Sequence, residues 1–292
     1  MVLIIAHKRV RIFIAIFFFY FLLVMPDSSC PAQEPLTVQV YPYAPASRVL
    51  KQFTPLSNYL KQTLDREVTI RISKDHNDHL ETVGNDRADV AFLGPSSYVK
   101  IVEAFGKKPV IARIEVNESP LLQGVIFTSS SSQLASLKDL KGKRFAFGYQ
   151  NSTMSHLVPI FMLQQEGIHV NDFAQYTFLN DQHNVALGVL MGDFDAGAVN
   201  VSVFQKYKGR GLKELARSPK VSEHLFVARA SLPEDTVTAL KRAFLDVKKD
   251  KNAQIIMSSI RKDMTAFVPA SDRDYDNLRM LLQSIDKSKT AP

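Results

Sequence analysis

From residue 36 onward, short apolar runs of strand length alternate with segments whose apolar residues recur at helical spacing, and this rhythm breaks once and restarts. Leu36, Val38 and Val40 alternate with polar residues, which predicts a strand over 36–41. Val49, Leu50, Phe53, Leu56, Tyr59, Leu60 and Leu64 then follow a helical period, with Pro55 expected to kink or split the helix. Further strands are predicted over 68–72, 88–93, 110–116 and 121–128, and helices over 79–87 and 98–105. The run from Ser129 to Ser132 reads as a linker. After it, strands are predicted over 144–148, 176–179, 195–199 and 225–228, and helices over 155–166, 183–191, 233–248, 253–260 and 272–285. Strands alternating with helices predict parallel sheets covered on both faces. The restart predicts two such lobes, 33–128 with 226–292, and 129–225. Ligands of open α/β sheets lie beyond the carboxyl ends of the strands, so two facing lobes would enclose a cleft there.

The amino-terminal segment has a different character. Lys8, Arg9 and Arg11 precede an unbroken run of 14 apolar residues from Ile12 to Met25, followed by Pro26 and small polar residues. A membrane-spanning helix needs about 20 apolar residues. The shorter run, its basic flank and its position predict a secretory signal over 1–32, with a retained anchor as the alternative. The cut is expected after Ala32. Lipidation at Cys30 is disfavoured because Asp27 stands where a lipoprotein signal carries a large aliphatic residue. Removing this segment's three basic residues and one acidic residue lowers the net charge from +7 to +5, too mild to suggest a nucleic-acid partner. The rest of the chain has no cysteine, which excludes disulfides, thiol chemistry and cysteine-ligated metal.

Four segments resemble the substrate-binding proteins of phosphate, phosphite and phosphonate ABC importers. They are Pro42-Tyr43 with 53–60 downstream, 88–98 (ADVAFLGPSSY), 140–148 leading into Asn151-Ser152-Thr153, and His183 with 192–200 after it. Order and spacing agree from about residue 35 to 250. The resemblance implies the type II periplasmic binding fold, with two α/β lobes, a hinge and an interlobe cleft that closes on an anion. It implies a ligand site at Tyr43, Ser96, Ser97, Tyr98, Ser152, Thr153, Ser155, His156, His183 and Asn200. Its partner would be a membrane permease. The alternatives are a sensor of the same fold that signals to a membrane receptor, and a periplasmic phosphoester hydrolase or transferase using His183 and a serine.

Physical chemistry supports these residue types and also supplies ordinary readings of them. A helix amino terminus offers free N–H groups and partial positive charge, so it holds phosphate-like oxygens without a lysine or arginine. Ser152 and Thr153 fall at such a start, where helix capping alone would also account for them. Relatives continue with a third hydroxyl and a glycine. This chain reads Met154-Ser155-His156, which moves the third hydroxyl and adds a histidine. Tyr98 reads either as a pocket phenol or as a core aromatic, since Ile101, Val102 and Phe105 share its helical face. Tyr41 competes with Tyr43. His183 reads as an anion contact or as a surface residue of a first turn. The neutral Asn200, where relatives place polar or acidic contacts, weakens the case for an aminoalkyl phosphonate. Asp75, His76, Asp78 and His79 have the spacing of metal ligands, but they fit equally well as the polar start of a helix. Common hydrolase, zinc-protease and nucleotide fingerprints are missing, so the chain is expected to be a non-enzymatic, monomeric binder without cofactor or metal.

Overall fold

The computed structural model describes residues 34–290. The expected export signal and Cys30 lie outside the described residues. The chain opens with β1 (Leu36–Val40), whose Leu36, Val38 and Val40 are buried. Next comes α1 (Ala46–Leu64), a single helix that runs through Pro55. Val49, Phe53, Leu56 and Leu60 are all buried along it, and this apolar face offsets the roughly 3 kcal/mol that an interior proline costs. After β2 (Val68–Ile72), α2 (His76–Gly84) begins a turn earlier than expected. It does so because the Asp75 carboxylate caps it, accepting the Asp78 N–H at 2.8 Å. There follow β3 (Val90–Leu93), α3 (Pro95–Phe105), β4 (Val110–Val116), β5 (Leu121–Leu122), β6 (Gly124–Ser129) and β7 (Arg144–Phe147). A π-helical turn at Thr153–Leu157 runs into α4 (Val158–Gln165). The remaining elements are β8 (Gln175–Phe178), α5 (Gln182–Leu190), β9 (Ala196–Asn200), α6 (Val201–Lys208), β10 (Leu212–Arg217), β11 (Val221–Ser222), β12 (Leu225–Ala228), α7 (Glu234–Asp246), α8 (Ala253–Ile260), β13 (Met264–Val268) and α9 (Asp276–Thr290).

Two main sheets form, ordered β13-β4-β12-β3-β1-β2 and β10-β6-β9-β7-β8. Neither is purely parallel as expected. β1 pairs parallel with β2 and β3, but β12 runs antiparallel between β3 and β4, and β13 runs antiparallel to β4. In the second sheet β7 pairs parallel with β8 and β9, while β6 is antiparallel to both β9 and β10. The reversals arise because the chain crosses between sheets at 117–123 and returns at 218–224, so the strands after each crossing enter the new sheet from the opposite end. The crossings are clipped together by a two-residue antiparallel pair, Val221 with Leu122 and Ser222 with Leu121.

β6 belongs to the second sheet, so the change of sheet precedes it and does not fall at 128/129. The serine run follows β6 within the second half of the molecule. Its Ser132 carbonyl accepts a hydrogen bond from Lys213 Nζ at 2.6 Å. The sequence signals for α6, β10, β11 and β13 were too weak to predict them. β10 (LKELAR) is a half-buried strand at a sheet edge, where alternation is blurred by charge. A buried cluster that includes Tyr98, Leu163 and Leu278 links α3, α4 and α9.

Phe226, buried on the central strand β12, packs against Phe53, Phe92, Phe244 and Phe267 with ring centroids 4.6–6.4 Å apart. Phe226→Ala is expected to lower unfolding free energy by about 3–5 kcal/mol. Urea denaturation with an unchanged m-value would show it, and a loss below 1 kcal/mol would contradict this packing.

Candidate functional site

The strands that run parallel in the two sheets point their carboxyl ends at one another, and the loops leaving them supply the walls of a single cavity of about 580 Å³. β1 leads to Tyr41 and Tyr43, β2 to His76, and β3 to Gly94, Ser96 and Ser97. From the second sheet β7 leads to Tyr149 and to Asn151 through Ser155, β8 to Asn180 through His183, and β9 to Asn200. This is the location where open α/β sheets place ligands.

At its centre the two halves touch through hydroxyls. The Ser96 N–H donates to Thr153 Oγ1 at 3.2 Å, Thr153 Oγ1 donates to Ser96 Oγ at 3.0 Å, and Ser96 Oγ donates to the Asn151 carbonyl at 3.0 Å. Lys100 Nζ reaches Asn151 Oδ1 at 3.1 Å. Beside this chain lies Ser155, fully buried and lining the cavity; its Oγ finds no hydrogen-bond partner among the described residues. A buried hydroxyl without a partner costs about 1–3 kcal/mol, so its position calls for a reason. The local backbone is built around it. Ser152 Oγ caps the turn by accepting the Ser155 N–H at 3.3 Å, and the π-helical turn widens the chain there. Gly148 admits the side chain, since a Cβ at 148 would sit 2.3 Å from Ser155 Oγ.

Eight of the ten residues predicted for the site line this cavity: Tyr43, Ser96, Ser97, Ser152, Thr153, Ser155, His183 and Asn200. Several carry structural bonds as well. The His183 N–H donates to Asp181 Oδ1 at 2.6 Å, and its ring Nδ1 lies 3.1 Å from the Tyr207 hydroxyl. Asn200 Oδ1 caps α6 by accepting from the Val203 N–H at 2.9 Å and from Ser202 Oγ at 2.7 Å. The Tyr43 hydroxyl donates to Gln52 Oε1 at 2.9 Å. Its competitor Tyr41 lines the cavity too, its ring near-parallel to those of Phe92 and His224, which also stack on each other.

Two predicted residues lie elsewhere. Tyr98 is a core residue: its ring packs on Tyr275 and its hydroxyl donates to Asp272 Oδ1 at 3.0 Å. The apolar face it shares with Ile101 draws it inward. His156 turns away from the cavity; its Nδ1 lies 2.6 Å from the Gln150 carbonyl, and the ring packs edge-on against Phe147 and Phe178.

Three further residues line the cavity that the sequence did not assign to the site: His76, weighed there only as a metal ligand, and His224 and Arg261. His76 lines the cavity with Nε2 3.5 Å from Ser97 Oγ. Burial, reinforced by the Lys100 cation, lowers its pKa to about 4, so it is neutral at pH 7. Its neighbour His79 is a buried core histidine, with Nδ1 3.0 Å from Ser73 Oγ and Nε2 3.2 Å from the Phe92 carbonyl. His224 and Arg261 also line the cavity, joined by Glu223. Glu223 Oε2 holds His224 Nδ1 at 2.8 Å and Oε1 accepts from Arg261 Nη1 at 2.7 Å. Burial of Glu223 by itself raises its pKa, but the His224 hydrogen bond and the Arg261 charge outweigh it and hold the carboxyl near 2.

Two mixed sheets flanked by helices and joined by paired crossings, with a cavity between their strand ends, define the type II periplasmic binding fold. The chain belongs to the family of periplasmic substrate-binding proteins of phosphonate ABC transporters, whose model matches residues 38–275. It is 27% identical over 174 residues to a probable ABC transporter phosphite binding protein, PhnD1, of Prochlorococcus marinus. That match covers 54% of this chain and only 57% of the relative. The solved structure of PhnD1 in complex with methylphosphonate superposes with a TM-score of 0.74 at 24% identity, covering 86% of this chain and 98% of that one. A binding-protein component of an ABC phosphonate transporter from Pseudomonas aeruginosa superposes with a TM-score of 0.73 at 18% identity, over 88% of this chain and 90% of that one.

The depressed Glu223 pKa has a sign. An acid whose folded pKa lies below its unfolded value adds stability above the unfolded value, and that stability is lost as pH falls through the folded one. Between pH 4.5 and 2 the wild type should lose on the order of 3 kcal/mol from this group. Glu223→Gln should be less stable at pH 7 and shallower over that window in acid-dependent denaturation. Parallel curves would contradict the assignment.

Proposed function

We propose that this protein is the periplasmic substrate-binding component of an ABC importer for phosphonate, phosphite or a related phosphorus oxyanion, and that it binds its ligand without turning it over. The observation that carries this reading is the unpartnered Ser155 hydroxyl, buried in the wall of the cavity beside the Ser96–Thr153 contact. Tetrahedral oxyanions are acceptors, and hydroxyls and amide N–H groups are the donors that suit them. In this reading Thr153 and Ser155 of one half and Ser96 and Ser97 of the other grip the same anion. Ser152 positions the turn, and Tyr43, His183 and Asn200 border it. The halves close because the anion gains partners from both. Residues 1–32 act as the export signal. A membrane permease receives the closed form, the protein works as a monomer, and nucleic acid is not a partner. Family membership and the PhnD1–methylphosphonate likeness support the ligand class.

Ser155 separates a ligand role from a packing role. Ser155→Ala removes a buried hydroxyl that has no partner, so the unliganded protein should be as stable as wild type or more so. Affinity for methylphosphonate should nonetheless fall at least tenfold, about 1.4 kcal/mol. Calorimetric titration of methylphosphonate, phosphite, phosphate and sulfate into both proteins measures this. Unchanged affinity, or turnover of phosphate esters by the wild type, would contradict the proposal.

A further inference from the structure

The hydroxyls of Ser96, Thr153 and Ser155 account for only a few atoms of the 580 Å³ cavity wall. A five-atom oxyanion leaves most of that space empty, whereas clefts of about 300–1,000 Å³ suit larger organic ligands. The groups facing the remaining space include His224 and Arg261, which the buried Glu223 joins from behind into one cluster. Gly94 places this cluster beside the hydroxyl region. A Cβ on Gly94 would lie 3.6 Å from His224 Nε2 and 4.0 Å from Ser97 Oγ, so imidazole and α3 amino terminus border one gap. Arg261, with Leu122 and Asn200, also lines an adjoining cavity of about 530 Å³, which leaves room for a ligand to extend on that side.

The chemistry of the cluster is that of an anion clamp. Arg261 spends Nη1 on Glu223 Oε1, while a guanidinium carries five N–H donors in a planar fork suited to carboxylate or phosphoryl oxygens. Glu223 also fixes His224 by Nδ1, which leaves Nε2 as its second ring nitrogen. Nε2 faces the gap beside Gly94, where a ligand oxygen can meet it. Glu223 is itself a poor partner for an ammonium: one oxygen is taken by Arg261, and the other by the ring and the backbone N–H of His224. Asp181, the carboxylate lining the main cavity, caps α5 through Oδ1; the adjoining cavity is lined by Glu223 and Asp263 together with the cations Lys206, Lys220 and Arg261.

We propose that Arg261 and His224, positioned by Glu223, form a second anion subsite, so that the preferred ligand is a short phosphonate whose far end carries another anionic group rather than an ammonium. This rests on the reading that the hydroxyl region takes the phosphonate head. The far group is a carboxylate or a second phosphoryl group, both of which fit a guanidinium fork.

Calorimetric titration of the purified protein with methylphosphonate, 2-aminoethylphosphonate, phosphonoacetate and methylenediphosphonate tests it. At least one of the two dianionic ligands should bind tenfold or more tightly than both methylphosphonate and 2-aminoethylphosphonate, and which one does so identifies the far group. That preference should shrink at least tenfold in Arg261→Lys, which keeps the charge but loses the fork. It should shrink likewise in His224→Gln, with thermal denaturation confirming that both variants are folded. A wild type that binds methylphosphonate or 2-aminoethylphosphonate as tightly as the dianions would overturn the second subsite, as would a preference that survives both substitutions. Either result would leave the head-group reading standing. Failure of all four ligands would instead overturn the phosphonate reading, and this inference with it.

Discussion

The chain passes between its two sheets twice, and the passages pair where Leu121-Leu122 meets Val221-Ser222. A short antiparallel pair at this point fixes which ends of the two sheets can face each other, and hence which loops meet. Every parallel strand of either half then delivers its carboxyl-terminal loop into the same cavity. Charge contributes less to this arrangement than placement. Most of the helix starts and hydroxyls that converge there leave well-buried strands, β1, β3, β7 and β9, so the site rests on rigid elements.

The same crossing explains what the sequence showed and what it hid. The family resemblance led to Ser96, Ser97, Ser152, Thr153, Ser155, His183 and Asn200, all of which follow strands or end them, where strand-helix alternation places ligands. The expectation of purely parallel sheets concealed a smaller part of the lining. β12 and β13 run antiparallel, so their amino ends lie on the cavity side, and His224 and Arg261 precede them. A reader who looks only after strands passes over both. Tyr98 failed for a different reason. Its helical face is apolar along Ile101, and burial of an aromatic ring on such a face prevails over motif position. Composition also misplaced the change of sheet, because four serines on a surface turn resemble a linker more than the crossing at 117–123 does.

Stability and binding draw on different groups in this cavity. Among the described residues Ser155 Oγ has no partner, and Gly148 leaves the room that its side chain needs, a local cost that a bound acceptor would offset. Glu223 is the reverse: buried, ionised and held by Arg261 and His224, it braces the wall that those side chains line. His76, kept neutral by burial, contributes a hydrogen-bonding ring without adding charge beside the α3 amino terminus.

The central claim is that a phosphorus oxyanion bridges the two halves at Ser96, Thr153 and Ser155. A crystal structure of the protein with methylphosphonate tests it most directly. The account predicts phosphonate oxygens within hydrogen-bonding distance of Ser155 Oγ and of at least one donor from α3. Methylphosphonate bound elsewhere, with the Ser155 hydroxyl still unpartnered, would contradict it.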